Sequence, residues 1–157
     1  MTAERLVISV LLPDRIGILR DVTGAVADLG ANIDAIDQTV VEGTFTGTLT
    51  ATFPARVEAD EVRRALLDRL PGGDADIRVR PMLPTPPPAA AETDRFVVTV
   101  SGQDRPGILK QVMGFLADRA INVERWNVLR DGRAITYIGE VAVPTQLNIG
   151  HLQAELQ

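Results

Sequence analysis

The sequence contains no cysteine, so disulfide bonds and thiolate metal sites are excluded and a reducing compartment suits the chain. Aromatic residues make up only 4% of the sequence, and no apolar run approaches the roughly 20 residues that span a bilayer. The N-terminus lacks the basic and apolar regions of a secretory signal peptide. Together these absences predict a cytoplasmic protein that does not enter a membrane.

Basic residues are also few, because 16 Lys and Arg stand against 21 Asp and Glu, which gives a net charge of −5. Duplex DNA binding draws most of its affinity from phosphate neutralisation by Lys and Arg. The composition therefore predicts no direct nucleic-acid partner. Any link to gene control is expected to run through another protein.

The reactive side chains are equally sparse. The single histidine, His151, lies near the C-terminus, and no nucleophile has a base nearby in sequence. There is no glycine-rich phosphate loop and no cluster with metal-ligand spacing. We therefore predict no catalytic residue, no metal site and no cofactor, in a protein that is not an enzyme.

What the sequence does contain is a long internal repeat. Residues 14–19, Asp-Arg-Ile-Gly-Ile-Leu, recur ninety residues later as residues 104–109, Asp-Arg-Pro-Gly-Ile-Leu. Between 14–34 and 104–124, ten of the 21 aligned positions are identical. A repeat of this length is a whole small domain rather than a solenoid unit.

Each copy shows the same order of elements. A strand leads through the Asp-Arg-x-Gly turn into a helix, and two further strands are joined by a hairpin at Glu42-Gly43 or Asp131-Gly132. Only the first copy continues through a second helix into a fourth strand. The predicted fold class is α+β, with two ferredoxin-like βαββαβ domains. Each is an antiparallel sheet with helices on one face, and the second domain lacks its last strand.

We predict that residues 1–83 form the first domain, 84–93 a Pro/Ala-rich linker and 94–157 the incomplete second domain. The missing strand would leave the strand at 96–100 with an unpaired side, and such edges pair with other chains. Self-association is expected, or a sequence that is a piece of a longer protein. Gly30 ends the first helix, whereas the matching residue is Ala120, so the two helix ends are expected to differ.

A strand, then Asp-Arg-Pro-Gly-Ile-Leu opening a helix, then Asn-Ile or Asn-Val opening a second strand, resembles the ACT domain, here in tandem. The arrangement is similar to the glycine cleavage system transcriptional repressor group and to the ACT module of formyltetrahydrofolate deformylases. The resemblance implies a small ligand, typically an amino acid, at an interface between paired ACT domains. Ile16 departs from the pattern, because the family has a proline there.

Helix N-termini expose backbone N–H groups that hold carboxylates well, and glycine lets a ligand approach the backbone. The asparagines offer amide donors and acceptors, and the arginines a charge-assisted contact. The predicted ligand-binding residues of the first copy are Pro13, Asp14, Arg15, Ile16, Gly17, Ile18, Leu19, Asn32 and Ile33. Those of the second copy are Gln103, Asp104, Arg105, Pro106, Gly107, Ile108, Leu109, Asn122 and Val123.

These residues also have structural interpretations. Asp14 and Asp104 could cap the helices, and Pro106 could occupy the first helical turn. Each arginine could pair with the aspartate before it, and each asparagine could be a turn residue.

The leading hypothesis is an amino-acid-binding regulatory protein that forms a homodimer or higher oligomer and acts through a partner protein. The alternatives are a structural pairing module without a ligand and a regulatory fragment of a deformylase-like enzyme. RNA binding is less favoured, because the third strand presents threonines rather than aromatic residues. The sequence does not name the amino acid, since all share the same α-carboxylate and amine.

Overall fold

The computed structural model describes residues 2–84 and 92–156, which fall into two compact units. The first unit is one antiparallel sheet with two helices, in the strand order β2-β3-β1-β4. Its elements are β1 Glu4–Pro13, α1 Ile18–Asp28, β2 Asn32–Val41, β3 Thr44–Phe53, α2 Ala59–Arg69 and β4 Asp76–Pro81. This is the predicted ferredoxin-like topology.

The second unit repeats this order up to its second helix and has a three-stranded sheet, β5-β7-β6. Its elements are β5 Thr93–Gln103, α3 Ile108–Asp118, β6 Asn122–Asp131, β7 Ala134–Pro144 and α4 Ile149–Leu156. The predicted fold class, including the missing last strand, is confirmed for the described residues. Of the predicted linker 84–93, Thr93 belongs to β5 and residues 85–91 lie outside the described residues.

Alternation of buried and more exposed residues in the third strand of each unit builds the cores. In β3, Phe45, Leu49 and Phe53 are buried while the intervening threonines reach the other face. The second core is smaller, since Phe96 and Val98 are only half-buried where Leu6 and Ile8 are at most 1% exposed. In the first unit, β4 covers the outer side of β1. The corresponding side of β5 carries an apolar groove of about 610 Å³.

The backbone of β5 is also open along this side. The Arg5 carbonyl of β1 accepts a hydrogen bond from the N–H of the residue just after β4. The N–H of Asp14, just after β1, donates instead to the residue before β3. Odd-numbered residues of β1 therefore face β4, because strand residues alternate. Just after β5, the Asp104 N–H donates to the carbonyl of Arg133, the residue before β7. The odd-numbered residues of β5 thus face an edge where no other strand of the described chain lies.

One predicted hairpin is correct and the other is displaced by a residue. Glu42 and Gly43 join β2 to β3 with φ values of 46° and 78°, as a type I′ turn requires. In the second unit Asp131 pairs with Ala134, so the turn is Gly132-Arg133 and not Asp131-Gly132. Gly132 alone has a positive φ, 57°, which is the type II′ arrangement. The sequence prediction missed it because register, rather than the Asp-Gly pair, sets the turn.

The first helices of the two units end alike, which contradicts the expected difference. Gly30 has φ 74° and Ala120 has φ 56°. In both cases the N–H of this residue bonds the carbonyl three residues earlier, and the next N–H bonds the carbonyl five residues earlier. Ala120 therefore adopts the left-handed conformation against the steric preference of an L-residue.

Replacing Ala120 with glycine is expected to stabilise the second unit by about 0.5–1 kcal/mol, because glycine removes this steric cost. The matched change, Gly30→Ala, should destabilise the first unit by a similar amount. Urea denaturation of both variants measures the two free energies of unfolding. Loss of stability in Ala120→Gly would show that the left-handed geometry is not what limits this helix end.

Candidate functional site

The Asp-Arg-x-Gly segment is a tight turn between a strand and a helix. The strands run to Pro13 and Gln103, so the loops are residues 14–17 and 104–107. Gly17 has φ 93° and ψ 0°, and Gly107 has φ 92° and ψ −10°. These angles belong to the second central position of a type II turn, which needs glycine and favours proline just before it. The turn thus explains both glycines and Pro106.

The capping interpretations of this turn are wrong. Gly17 and Gly107 are the N-cap residues, and no side chain caps either helix. Pro106 precedes the N-cap instead of occupying the first helical turn. The backbone N–H groups that begin each helix have no partner within the helix. Apart from the Ile108 N–H, which donates to the Arg105 carbonyl at 3.5 Å, they are therefore available to an acceptor from outside.

In the first unit, charged side chains of the unit itself cover this helix start. Asp21, in the first turn of α1, accepts hydrogen bonds from Arg15 Nη2 at 2.9 Å and Arg20 Nη2 at 3.0 Å. Arg15 therefore pairs with Asp21, and not with the preceding aspartate. A Cβ on Gly17 would lie 3.3 Å from Arg20 Nη2 and 3.8 Å from Arg15 Nη1. Two guanidinium groups thus lie against the glycine.

The hydrogen bond from Arg15, and next the one from Arg20, holds the pKa of the Asp21 carboxyl below its ordinary value of 3.8. Asp21 is consequently ionised at neutral pH and keeps both cations in place. Because its pKa is lower in the folded than in the unfolded chain, the stability this group contributes is complete above the unfolded pKa. That stability is lost as pH falls through the folded value.

The second unit has the same turn without this acid. Gln111 stands in the place of Asp21, and Lys110 in the place of Arg20. Among the ion pairs of the described residues, none involves Arg105 or Lys110. Asp104 pairs with Arg130 of β6. The turn is open, since a Cβ on Gly107 would meet no atom within 4 Å.

The predicted asparagines do not lie beside these turns within a unit. Asn32 faces Thr52 of β3, which in turn faces Arg5 near the start of β1, whereas the turn follows Pro13. Eight residues of extended chain separate Arg5 from Pro13, about 26 Å. Asn122 is placed in the same way in the second unit. One unit by itself therefore does not bring Asn32 or Asn122 to its own turn.

The start of β2 and of β6 has a structural arrangement of its own. The register shifts at Asp34 and at Glu124, where an extra residue forms a bulge. Each acid pairs with an arginine of the first strand, Arg5 at 3.0 Å or Arg95 at 3.1 Å. These ion pairs hold each bulge in place. The neighbouring Asn32 is exposed.

The apolar residues of the predicted site differ in what they offer. Ile18 is 2% exposed and belongs to the core, so only its backbone is open to a ligand. Ile16 is 99% exposed, and Leu19 and Leu109 are partly exposed on their helices. Ile33, Ile108 and Val123 are half-buried. The backbone of the turn and the nearby charged groups are therefore the chemically useful parts of the site.

Four residues that set the charge around the turns were not predicted from the sequence: Arg20, Asp21, Lys110 and Arg130. Asp21 had a usable signal, because an acid in the first turn of a helix interacts with the helix dipole and with nearby cations. No signal in the sequence indicates that Asp21 pairs with Arg15 across the turn. That contact depends on the type II geometry, which folds Arg15 back toward the helix.

Two further structural findings concern the described residues alone. No group of three or more His, Asp or Glu side chains there is arranged to hold a metal ion. None of the helices of 2–84 and 92–156 is both long and apolar enough to cross a membrane.

Comparison with known proteins identifies the first unit. Residues 6–71 match the family model of the ACT domain. Over 54 residues the chain is 39% identical to UPF0237 proteins of Methanosarcina mazei and Methanosarcina acetivorans, which is 34% of this chain and 59% of theirs. The matched part thus spans less than two thirds of those relatives.

Two solved structures share the fold over 99% of the chain. One is an unknown protein from Galdieria sulphuraria, with 23% identity, 92% of that chain covered and a TM-score of 0.78. The other, provisionally described as a glycine cleavage system transcriptional repressor, has 21% identity, 89% coverage and a TM-score of 0.69. The first unit of this chain therefore carries the match to the ACT domain, and the second is a repeat of the same fold whose described residues lack the fourth strand.

Proposed function

We propose that this chain is an amino-acid-binding regulatory protein whose ligand binds at the strand-to-helix turns. The observation that carries the proposal is the duplicated type II turn, which presents uncapped helix N–H groups beside an arginine in each unit. The ACT domain is a regulatory rather than a catalytic module, which supports the same assignment. The cytoplasmic location stays a prediction.

The chemistry of the turn suits the carboxylate of an amino acid. Backbone N–H groups and the positive end of the helix dipole favour an anion, and a guanidinium adds charge-assisted hydrogen bonds. Asn32 or Asn122 can contribute only from another ACT unit, because each lies at the far end of its own sheet. A ligand that uses both groups would therefore hold two ACT units together. Where the second of these units belongs to another copy of the chain, the complex would be the predicted homodimer or higher oligomer.

Regulation follows if the ligand binds one arrangement of paired units better than another. A ligand with equal affinity for both arrangements would shift nothing. A partner protein that recognises one arrangement would then respond to the amino-acid concentration.

A pairing module without a ligand is the second candidate, and the open edge of β5 favours it. Val97 on this edge is 68% exposed, and exposed apolar edges promote association. In that case the turns would serve only to connect strand and helix.

The test removes one arginine from each turn. Each of the 20 amino acids is titrated into the wild-type chain and into the double variant Arg15→Gln/Arg105→Gln by calorimetry. We expect binding of one or a few amino acids, weakened by about tenfold or more in the variant. The control Arg56→Gln/Arg64→Gln removes the same charge from exposed sites far from the turns. Equal affinity in both double variants would contradict the site.

A further inference from the structure

We propose that the open edge of β5 is a docking surface for an extended segment of another polypeptide. The segment adds the fourth strand that the described residues of the second unit lack, and runs antiparallel to β5. Its apolar side chains, two residues apart, enter the groove between β5 and α4. No residue of the strand-to-helix turns lines this groove, so the inference does not depend on amino-acid binding.

The first unit shows what the equivalent surface holds. There β4 lies antiparallel to β1, with Ile77 opposite Val10 and Val79 opposite Ile8. Ile77 is only 2% exposed, and Val79 packs against the same core. One short strand with apolar side chains at alternate positions thus completes both the sheet and the core.

The second unit is underpacked on both sides of its groove. On α2, the side chains of Val62 and Leu66 are fully buried, whereas the matching Leu152 and Leu156 of α4 are half-buried. The apolar residues of β5 that face the helices are half-buried as well. A strand placed between β5 and α4 would bury apolar surface on both, which favours its binding.

The backbone of β5 defines the kind of occupant. Its odd-numbered residues, among them Val97 and Thr99, direct their N–H and C=O groups to the edge where no strand of 2–84 or 92–156 lies. A small apolar ligand would fill the groove but cover these groups without bonding them. An added strand bonds the backbone and fills the groove together.

One polar side chain is placed to hold such a strand. In the first unit, Arg63 of α2 donates from Nε to the carbonyl of Ile77 in β4, at 3.3 Å. Gln153 of α4 stands at the matching position of the repeat and lines the groove. Its side-chain amide can donate to the carbonyl of a docked strand in the same way.

The position of α4 favours a single extended segment over a second copy of this chain. Because α2 lies over β4, the matching helix α4 lies over the place of the missing strand. If two copies paired through their β5 edges, each α4 would lie over the β5 of its partner. The two helices would then compete for the same space, whereas an extended segment brings no helix of its own.

The test adds the missing strand as a peptide. The probe is a synthetic peptide of residues 74–83, which contains β4, titrated at up to millimolar concentration into the full-length chain. We expect saturable binding that slows amide hydrogen exchange at Val97 and Thr99 by about tenfold or more, as measured by NMR. The amide of Val98 faces β7 and should keep its exchange rate.

A control peptide and three variants of the chain locate the binding. The same peptide with aspartate in place of Ile77 and Val79 should not bind. Val97→Pro removes an edge N–H and should weaken binding of the original peptide by about tenfold or more. Gln153→Ala should weaken it by about threefold. The matched control Gln146→Ala, at an exposed position before α4, should leave the affinity unchanged.

Failure of the original peptide to bind at millimolar concentration would overturn the inference, as would equal binding of the two peptides. Binding that leaves the exchange of Val97 and Thr99 unchanged would also overturn it. So would a dimer of the chain alone in which these two amides are already protected, because a second copy would then hold the edge. Amino-acid binding at the turns is measured separately, and either result can hold without the other.

Discussion

Replacing Gly139 with alanine is expected to destabilise the second unit by about 2–3 kcal/mol, because the new methyl group overlaps a tryptophan ring. Gly139 lies opposite Trp126 across β6 and β7, and a Cβ on it would collide with the six-membered ring. Trp126 also stacks on Tyr137, with the ring centroids 6.0 Å apart. The ring has little freedom to move away without giving up this packing.

The first unit suggests a double variant that should restore the stability of the second unit. Its equivalent pair is Ile36 opposite Leu49, two residues of similar size where the second unit combines a large one with a glycine. The double variant Trp126→Ile/Gly139→Leu should therefore recover most of the stability that Gly139→Ala loses. Urea denaturation followed by circular dichroism measures both. A Gly139→Ala chain as stable as the wild type would show that the ring does not occupy this space.

The second large effect concerns a pair of proline substitutions at matching positions. Val7→Pro is expected to cost about 2 kcal/mol or more, because Val7 faces Arg80 of β4 in a hydrogen-bonded position. Val97→Pro should cost little, since the Val97 N–H faces the open edge of β5 and edge strands accept proline.

Thermal unfolding of the two proline variants compares them directly. A large loss of stability in Val7→Pro beside a small one in Val97→Pro supports the four- and three-stranded sheets. We expect Val98→Pro, one residue along, to be damaging, because the N–H groups of even-numbered residues of β5 bond β7. Equal losses for Val97→Pro and Val98→Pro would mean that the edge of β5 is paired.

The sequence predicted most of the fold because alternation and repetition are strong, local signals. The threonine and apolar alternation from Phe45 to Phe53 defines which face of β3 is buried, whatever its partner strands. The ninety-residue repeat then carries the assignment to β7. That the described residues of the second unit form no fourth strand followed from counting along the repeat.

Errors arose where geometry depends on contacts across the chain. The hairpin at Gly132-Arg133 is set by the pairing of β6 with β7, which the Asp-Gly pair does not reveal. Ala120 is left-handed because the helix must end before Ile121 enters the core, and this outweighs the preference of alanine. In both cases packing overrides local preference.

The candidate site stays a prediction. Its turn residues adjoin one another in each unit, and Gly17 and Gly107 have the backbone angles that require glycine. Asn32 and Asn122 were grouped with them because they are close in sequence to the same helix. An 11-residue helix, however, carries the chain to the opposite end of the sheet. Only the strand registers reveal this separation.

Thermal unfolding of the wild-type chain with each of the 20 amino acids tests the central claim most directly. A ligand at about 100 times its dissociation constant adds about 2.7 kcal/mol to the stability of the state that binds it. We predict a rise in Tm of several degrees for one or a few amino acids and none for the rest. An unchanged Tm with all 20 at millimolar concentrations would contradict amino-acid binding and favour the pairing module.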